Sequence, residues 1–138
     1  MKYEQLKLDN QLCFPLYAAS RAVVNKYSPY LNELGLTYTQ YITMMVIWEE
    51  NEVTVKHLGE RLYLDSGTLS PLINALIKKG YIEKNRSVKD ERTVIISVTE
   101  KGKKLEDLAA EIPFKIASCI KLSQKDAKDL YRILHQII

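Results

Sequence analysis

From Val55 to Gly102 the apolar positions change their spacing twice, from helical to alternating and back. Val55, Leu58 and Leu62 recur at helical intervals and predict a short helix ending near Tyr63-Leu64. Asp65-Ser66 follows, with side-chain oxygens able to accept from the free amides that open a second helix. That helix carries Leu69, Leu72, Ile73, Leu76 and Ile77 as one apolar stripe, and Gly80 ends it. Tyr81 to Arg86 and Thr93 to Val98 hold strand-forming residues on either side of the polar segment Ser87 to Arg92, the pattern of a hairpin, and Thr99 can cap a further helix.

Two short helices running into a hairpin predict a winged helix-turn-helix in a mainly α chain. The second helix presents Ser66, Thr68, Ser70, Pro71, Asn74, Ala75 and Lys78 opposite its apolar stripe. Small and polar residues there suit a face that approaches base edges and phosphates, although an ordinary solvated face has the same composition. Pro71 falls inside the helix, where it removes an amide donor and predicts a bend.

Apolar residues at both ends exceed what one small domain would readily cover. Ile112, Ile116, Ile120, Leu122, Leu130, Ile133, Leu134, Ile137 and Ile138 lie towards the C-terminus, with Leu8, Leu12, Leu16, Val23 and Val24 at the other end. A homodimer joined through these segments would bury them and present paired half-sites. Packing on the chain's own core is the alternative. The expected division of the single domain, residues 1–138, is dimerisation helices over 1–35 and 105–138 and a DNA-binding lobe over 36–104.

Charge sharpens the picture locally. The chain is only +3 overall, yet residues 78 to 104 hold nine Lys or Arg against four acids, which concentrates basicity on the hairpin, including Arg86 and Lys89. Arg92, at the hairpin tip, is the expected minor-groove contact, with Asp90 holding its guanidinium by a bidentate pair. A merely solvated turn is the plainer alternative.

With 138 residues, the chain has the size of one domain with helical arms. No apolar run approaches the ~18 residues of a membrane span, and the N-terminus lacks a signal core, so a cytoplasmic protein is expected. Cys13 and Cys119, with His57 and His135, lack metal-ligand spacing, and the five glycines form no phosphate loop or nucleophile elbow. No metal, no cofactor and no conventional enzyme are expected.

Cys13 lies on a helix expected to start near Asp9, in which Pro15 would produce a kink or shift the thiol. A free cysteine in apolar company is ordinarily an inert core residue. Nine tyrosines nevertheless offer hydroxyls that can donate to a thiolate.

Leu58-Gly59-Glu60, Leu64 through Leu72, Asp90-Glu91-Arg92 and Val98 through Gly102 together resemble the multiple antibiotic resistance regulator (MarR) family. Gln11-Leu12-Cys13-Phe14 with Tyr17, Tyr27 and Thr37-Tyr38 resembles its branch of organic hydroperoxide resistance repressors and related redox-sensing regulators. The resemblance spans nearly the whole chain. It implies a dimeric repressor on a pseudo-palindromic operator in double-stranded DNA, with Cys13 as the peroxide-reactive thiol held by Tyr27 and Tyr38 of the other subunit. Oxidation then shifts the reading lobes and releases the DNA. Two-cysteine relatives resolve the oxidised thiol with a second cysteine, a role open to Cys119, whose setting here reads as a buried and inert helix position. The alternative within the family is relief by a small aromatic or phenolic ligand in a cleft lined by Tyr17, Tyr27, Tyr38 and Trp48. Outside it stand a thiol peroxidase built on Cys13 and a winged protein-interaction module.

Overall fold

The computed structural model describes residues 1–138. After two single helical turns at Glu4–Leu6 and Leu8–Asn10 come α1 (Cys13–Glu33), α2 (Tyr38–Glu50), β1 (Glu52–Thr54), α3 (Val55–Leu62) and α4 (Ser66–Lys78). They are followed by β2 (Ile82–Arg86), β3 (Val94–Val98), α5 (Glu100–Ala109), α6 (Ile112–Cys119) and α7 (Gln124–Leu134). The fold is mainly helical with a small antiparallel wing, as the periodicity predicts.

The caps fall where polar side chains can satisfy the orphan amides. Asp65 Oδ1 accepts from the Thr68 amide at 2.8 Å, opening α4, and Thr99 Oγ1 accepts from the Gly102 amide at 3.1 Å, opening α5. Gly80, at φ +79°, closes α4, and the Tyr81 amide returns to the Leu76 carbonyl at 3.1 Å. Tyr63 takes a left-handed conformation at the end of α3, the sharp turn that points α4 away.

The wing contains one strand more than the sequence reading expected. β1 pairs antiparallel with β3 (Val53 opposite Ile96), and β3 pairs with β2 (Lys84 opposite Ile96), giving the order β1-β3-β2. Three residues between two helices carry too little alternation to announce a strand, which exists here because β3 offers its free edge.

Leu58, Leu69, Leu76, Ile82 and Ile96 join Met44 and Ile47 in a continuous core beneath the wing. Two expected dimerisation residues belong to that core. Ile112 and Ile116 are each 3% exposed, covered by their own chain, and their side chains contribute about 1.5–3 kcal/mol apiece to this domain's own folding. Val23, Val24, Ile120 and Leu134 are half-buried, and the other apolar end residues are exposed. α7 has no buried residue, and Leu130, Tyr131 and Ile133 stand exposed along it.

The first long helix starts at Cys13, four residues later than expected. Pro15 is thus its third residue, where an amide has no partner inside the helix, and the anticipated kink does not arise there. Pro29 is the proline that lies inside α1.

Candidate functional site

Cys13 is a free, exposed thiol on the first residue of α1. The turns before it are held by side chains. Asn10 Nδ2 donates to the Glu4 carbonyl at 2.8 Å, and Gln11 Nε2 donates to the carbonyls of Gln5 at 2.8 Å and Lys7 at 2.9 Å. Tyr17, one helical turn beyond the thiol, is exposed with the Arg21 guanidinium 5.5 Å from its ring centre.

Tyr27 lies on the same helix, fourteen positions after Cys13, and the helical rise of ~1.5 Å per residue puts them about 21 Å apart. Its ring instead packs on Tyr38, the first residue of α2, at 5.0 Å and 59°, and on Tyr41 at 5.8 Å and 45°. Burial pushes the phenols of Tyr27, Tyr38 and Tyr41 above their ordinary value, so all three stay neutral O–H donors across the physiological range. Tyr38 is held by a capping box in which Thr37 Oγ1 accepts from the Gln40 amide at 3.2 Å and Gln40 Oε1 accepts from the Thr37 amide at 3.1 Å.

Cys13 and the two tyrosines therefore do not meet within one chain. The four aromatic residues named for a ligand cleft do not converge either. Trp48 donates to the Gly102 carbonyl at 2.8 Å and lines a separate cleft of about 170 Å³ with Tyr41, Met45 and Pro113.

Cys119 is half-buried, not sealed in a core as expected. It ends α6 and lines an apolar groove of about 620 Å³ with Ala19, Val23, Leu122 and Leu130, between α1 and α7.

Ser66, Thr68, Ser70, Pro71, Asn74 and Lys78 are all exposed on one side of α4, while Leu69, Ile73 and Leu76 are buried on the other. The helix continues through Pro71. Ser70 and Asn74 face Lys84 of the wing across a shallow depression floored by Val55 and Ile73. Beside it Arg92 and Thr93 share a second depression with Thr54 and Lys56. Lys56 and Lys84 thus join the basic surface, although sequence reasoning did not single them out. Their only signal was positive charge near the two ends of the motif.

The hairpin tip corrects one expectation. Asp90 does not pair with the Arg92 guanidinium. Its Oδ1 accepts from the Arg92 amide at 2.9 Å, and its Oδ2 lies 3.3 Å from Thr93 Oγ1. A short carboxylate at this position closes the turn on its own backbone and leaves the guanidinium free. Arg86 Nη1 donates to the Glu91 carbonyl at 2.7 Å and braces the same tip. No group of His, Cys, Asp and Glu side chains is placed to hold a metal ion, and no helix is long and apolar enough to cross a membrane.

Residues 25–108 match the family described as transcriptional regulator SarA/Rot. The organic hydroperoxide resistance transcriptional regulator of Bacillus subtilis is 44% identical over 137 residues, covering 99% of this chain and 93% of the relative. The HTH-type transcriptional regulator SarZ of Staphylococcus aureus is 42% identical over 138 residues, covering 100% and 93%. Reduced AbfR bound to DNA has a similar structure, with TM-score 0.81 and 36% identity over 99% of this chain and 96% of that one. The chain belongs to the family described as transcriptional regulator SarA/Rot, and it is a MarR-type winged-helix regulator related to the organic hydroperoxide resistance regulators.

Proposed function

We propose that this chain is a homodimeric repressor that binds a pseudo-palindromic operator and releases it when an organic hydroperoxide oxidises Cys13. One observation carries the reading: an exposed thiol opens α1, and the tyrosine pair suited to hold it lies too far along the same helix to be reached in one chain. A second copy with its α1 antiparallel would set Cys13 of one protomer against Tyr27 and Tyr38 of its partner. The relatives support the chemistry, since AbfR has been captured reduced on DNA, overoxidised on DNA and in a disulfide form.

In the reaction the Cys13 thiolate attacks one peroxide oxygen. An S–O bond forms, the O–O bond breaks, and the departing alkoxide takes a proton from water to leave as the alcohol. The sulfenic acid no longer offers the anionic acceptor that favoured the Tyr27 and Tyr38 hydroxyls. Cys119 of the partner is the candidate resolving thiol, whose attack on the sulfenic sulfur forms a disulfide and expels water. Dimerisation rests on residues 1–35 and on the uncovered part of 105–138, above all α7, while 36–104 carries the reading lobe.

DNA contact falls to Ser66, Thr68, Ser70, Pro71, Asn74 and Lys78 of α4 in the major groove. Arg92 enters the flanking minor groove, with Arg86 and Lys89 on the backbone and Asp90 shaping the tip. Such a protein works in the cytoplasm as a regulator, its thiol reacting as a switch. The cleft beside Trp48, of about 170 Å³, is smaller than the roughly 300 Å³ at which ligand pockets usually begin.

The test is operator binding by the reduced protein before and after one equivalent of an organic hydroperoxide, with Cys13→Ser alongside. Release confined to the protein with Cys13 intact supports the switch. Persistent binding after proven oxidation discards it.

A further inference from the structure

We infer that Lys79 is a positioning residue that couples the tyrosine pair to the recognition helix, acting through the carboxamide of Gln40. This rests on the thiol-switch reading and names the element that would carry its signal to the DNA.

Lys79 is the C-cap of α4, next to Lys78 but turned away from the DNA-facing side. Its ammonium donates to Gln40 Oε1 at 2.8 Å and to the Gly35 carbonyl in the turn between α1 and α2. Gln40 is 8% exposed, and its Oε1 also accepts from the Thr37 amide at 3.1 Å. One carbonyl oxygen thus serves both the cap that fixes Tyr38 and the ammonium that fixes the end of α4. Because that oxygen is shielded from water, a shift of the cap cannot be made good by solvent, and the Lys79 bond lengthens or breaks with it.

The end of α4 is tied down on its other side as well. Lys101 Nζ donates to the Lys79 carbonyl at 2.7 Å while lying 5.0 Å from the Tyr81 ring centre, and Thr99 Oγ1 donates to the Gly80 carbonyl at 2.6 Å. These bonds join α4 to the wing and α5, so they move with the reading lobe. Lys79 to Gln40 and Gly35 are the polar ties that cross from α4 to the α1–α2 turn. Displacing Tyr38 at the N-terminus of α2 therefore pulls on α4 through a two-bond path, Tyr38 to the Thr37–Gln40 box to Lys79.

The experiment compares Lys79→Met, Gln40→Leu, their double variant and Gln40→Glu in the full-length protein. Operator affinity is measured before and after one equivalent of cumene hydroperoxide, and Cys13 oxidation is followed by intact mass. Lys79→Met keeps the aliphatic stem and removes the donors, while Gln40→Glu keeps an acceptor oxygen. In Lys79→Met and Gln40→Leu, Cys13 should oxidise as in the parent, but the ratio of reduced to oxidised affinity should fall about fivefold or more. The double variant should lose no more than either single one, and Gln40→Glu should retain the parent ratio.

Thermal unfolding identifies a variant that fails to fold. Lys79 is only half-buried, so Lys79→Met with Gln40→Glu decides the matter if Gln40→Leu is lost. An unchanged ratio in folded Lys79→Met overturns the inference alone. A parent protein whose affinity does not respond to proven Cys13 oxidation overturns the thiol-switch reading and this coupling together. A drop of about one in the salt slope of DNA binding for Lys79→Met would show a phosphate contact instead, and would also overturn it.

Discussion

The rings of Tyr27 and Tyr38 pack 5.0 Å apart, joining the middle of α1 to the first residue of α2. Replacing either by Phe removes the hydroxyl and keeps the ring, so packing is retained. A hydrogen bond to a charged acceptor contributes about 1.5–3 kcal/mol, and each Phe variant is expected to slow peroxide-triggered release of DNA by roughly tenfold or more. Stopped-flow anisotropy on a labelled operator checks this. A release rate equal to the parent's would remove both hydroxyls from the mechanism.

The same phenols predict an alkaline limit. Burial raises their folded-state pKa above that of the unfolded chain, so the stability that depends on neutral phenol is complete below the unfolded value of about 10. It is lost as pH rises from there through the raised folded values. Absorbance titration at the tyrosinate band should show a late-titrating group of tyrosines, reduced in number by Tyr27→Phe. Unfolding midpoints should begin to fall near pH 10, before that late group titrates, and level off once it has.

Asp65 gives the opposite sign. Hydrogen bonds from Thr68 hold its carboxyl below the ordinary aspartate value, so its contribution to α4 is present above that value and disappears as pH falls through the depressed one. Asp65→Ala should unfold at a lower temperature than the parent at pH 7, with the gap closing below about pH 4. A gap independent of pH would mean that the cap acts without its charge.

Gly102 leaves no room for a side chain. A Cβ there would stand 2.2 Å from the Tyr81 carbonyl oxygen and 2.8 Å from Val98 Cγ2. Gly102→Ala must push α5 off the exit of the wing and strain the Trp48 bond to the Gly102 carbonyl. Its expected cost is about 3 kcal/mol in chemical denaturation, against near neutrality for Gly67→Ala, which meets only Asp65 Oδ1 at 3.4 Å.

Leu130 tests the dimer. It lines the groove between α1 and α7 and belongs to a helix with nothing buried on it. If a second copy covers α7, Leu130→Asp should weaken self-association by at least about tenfold, read by sedimentation equilibrium, while leaving the monomer's helical content unchanged. Unaltered association would place the interface elsewhere.

Much of the stretch from α3 to α5 was legible because its rules are local. The caps at Asp65 and Thr99, the stop at Gly80 and the stripe through Leu69, Ile73 and Leu76 each depend on residues within two turns of one another. Elsewhere the outcome turned on distant partners. β1 exists because of the edge of β3, and Asp90 turned to its own backbone when a guanidinium was also in reach of the sequence argument. Ile112 and Ile116 look no different in sequence from Ile133 and Ile137, yet the first pair is buried and the second exposed. Apolar spacing reports that a face will be covered without saying by what.

Composition and short-range spacing were enough for the succession of helices and wing, the polar side of α4, the basic hairpin and the residues of the thiol motif. Packing set the rest: Cys13 opens its helix with Pro15 harmlessly placed, Tyr27 and Tyr38 form a pair distant from it, and Lys79 and Gln40 meet across 39 positions. Such meetings are set by how whole helices cross and which faces they bury, a property of the packed chain that no local pattern encodes.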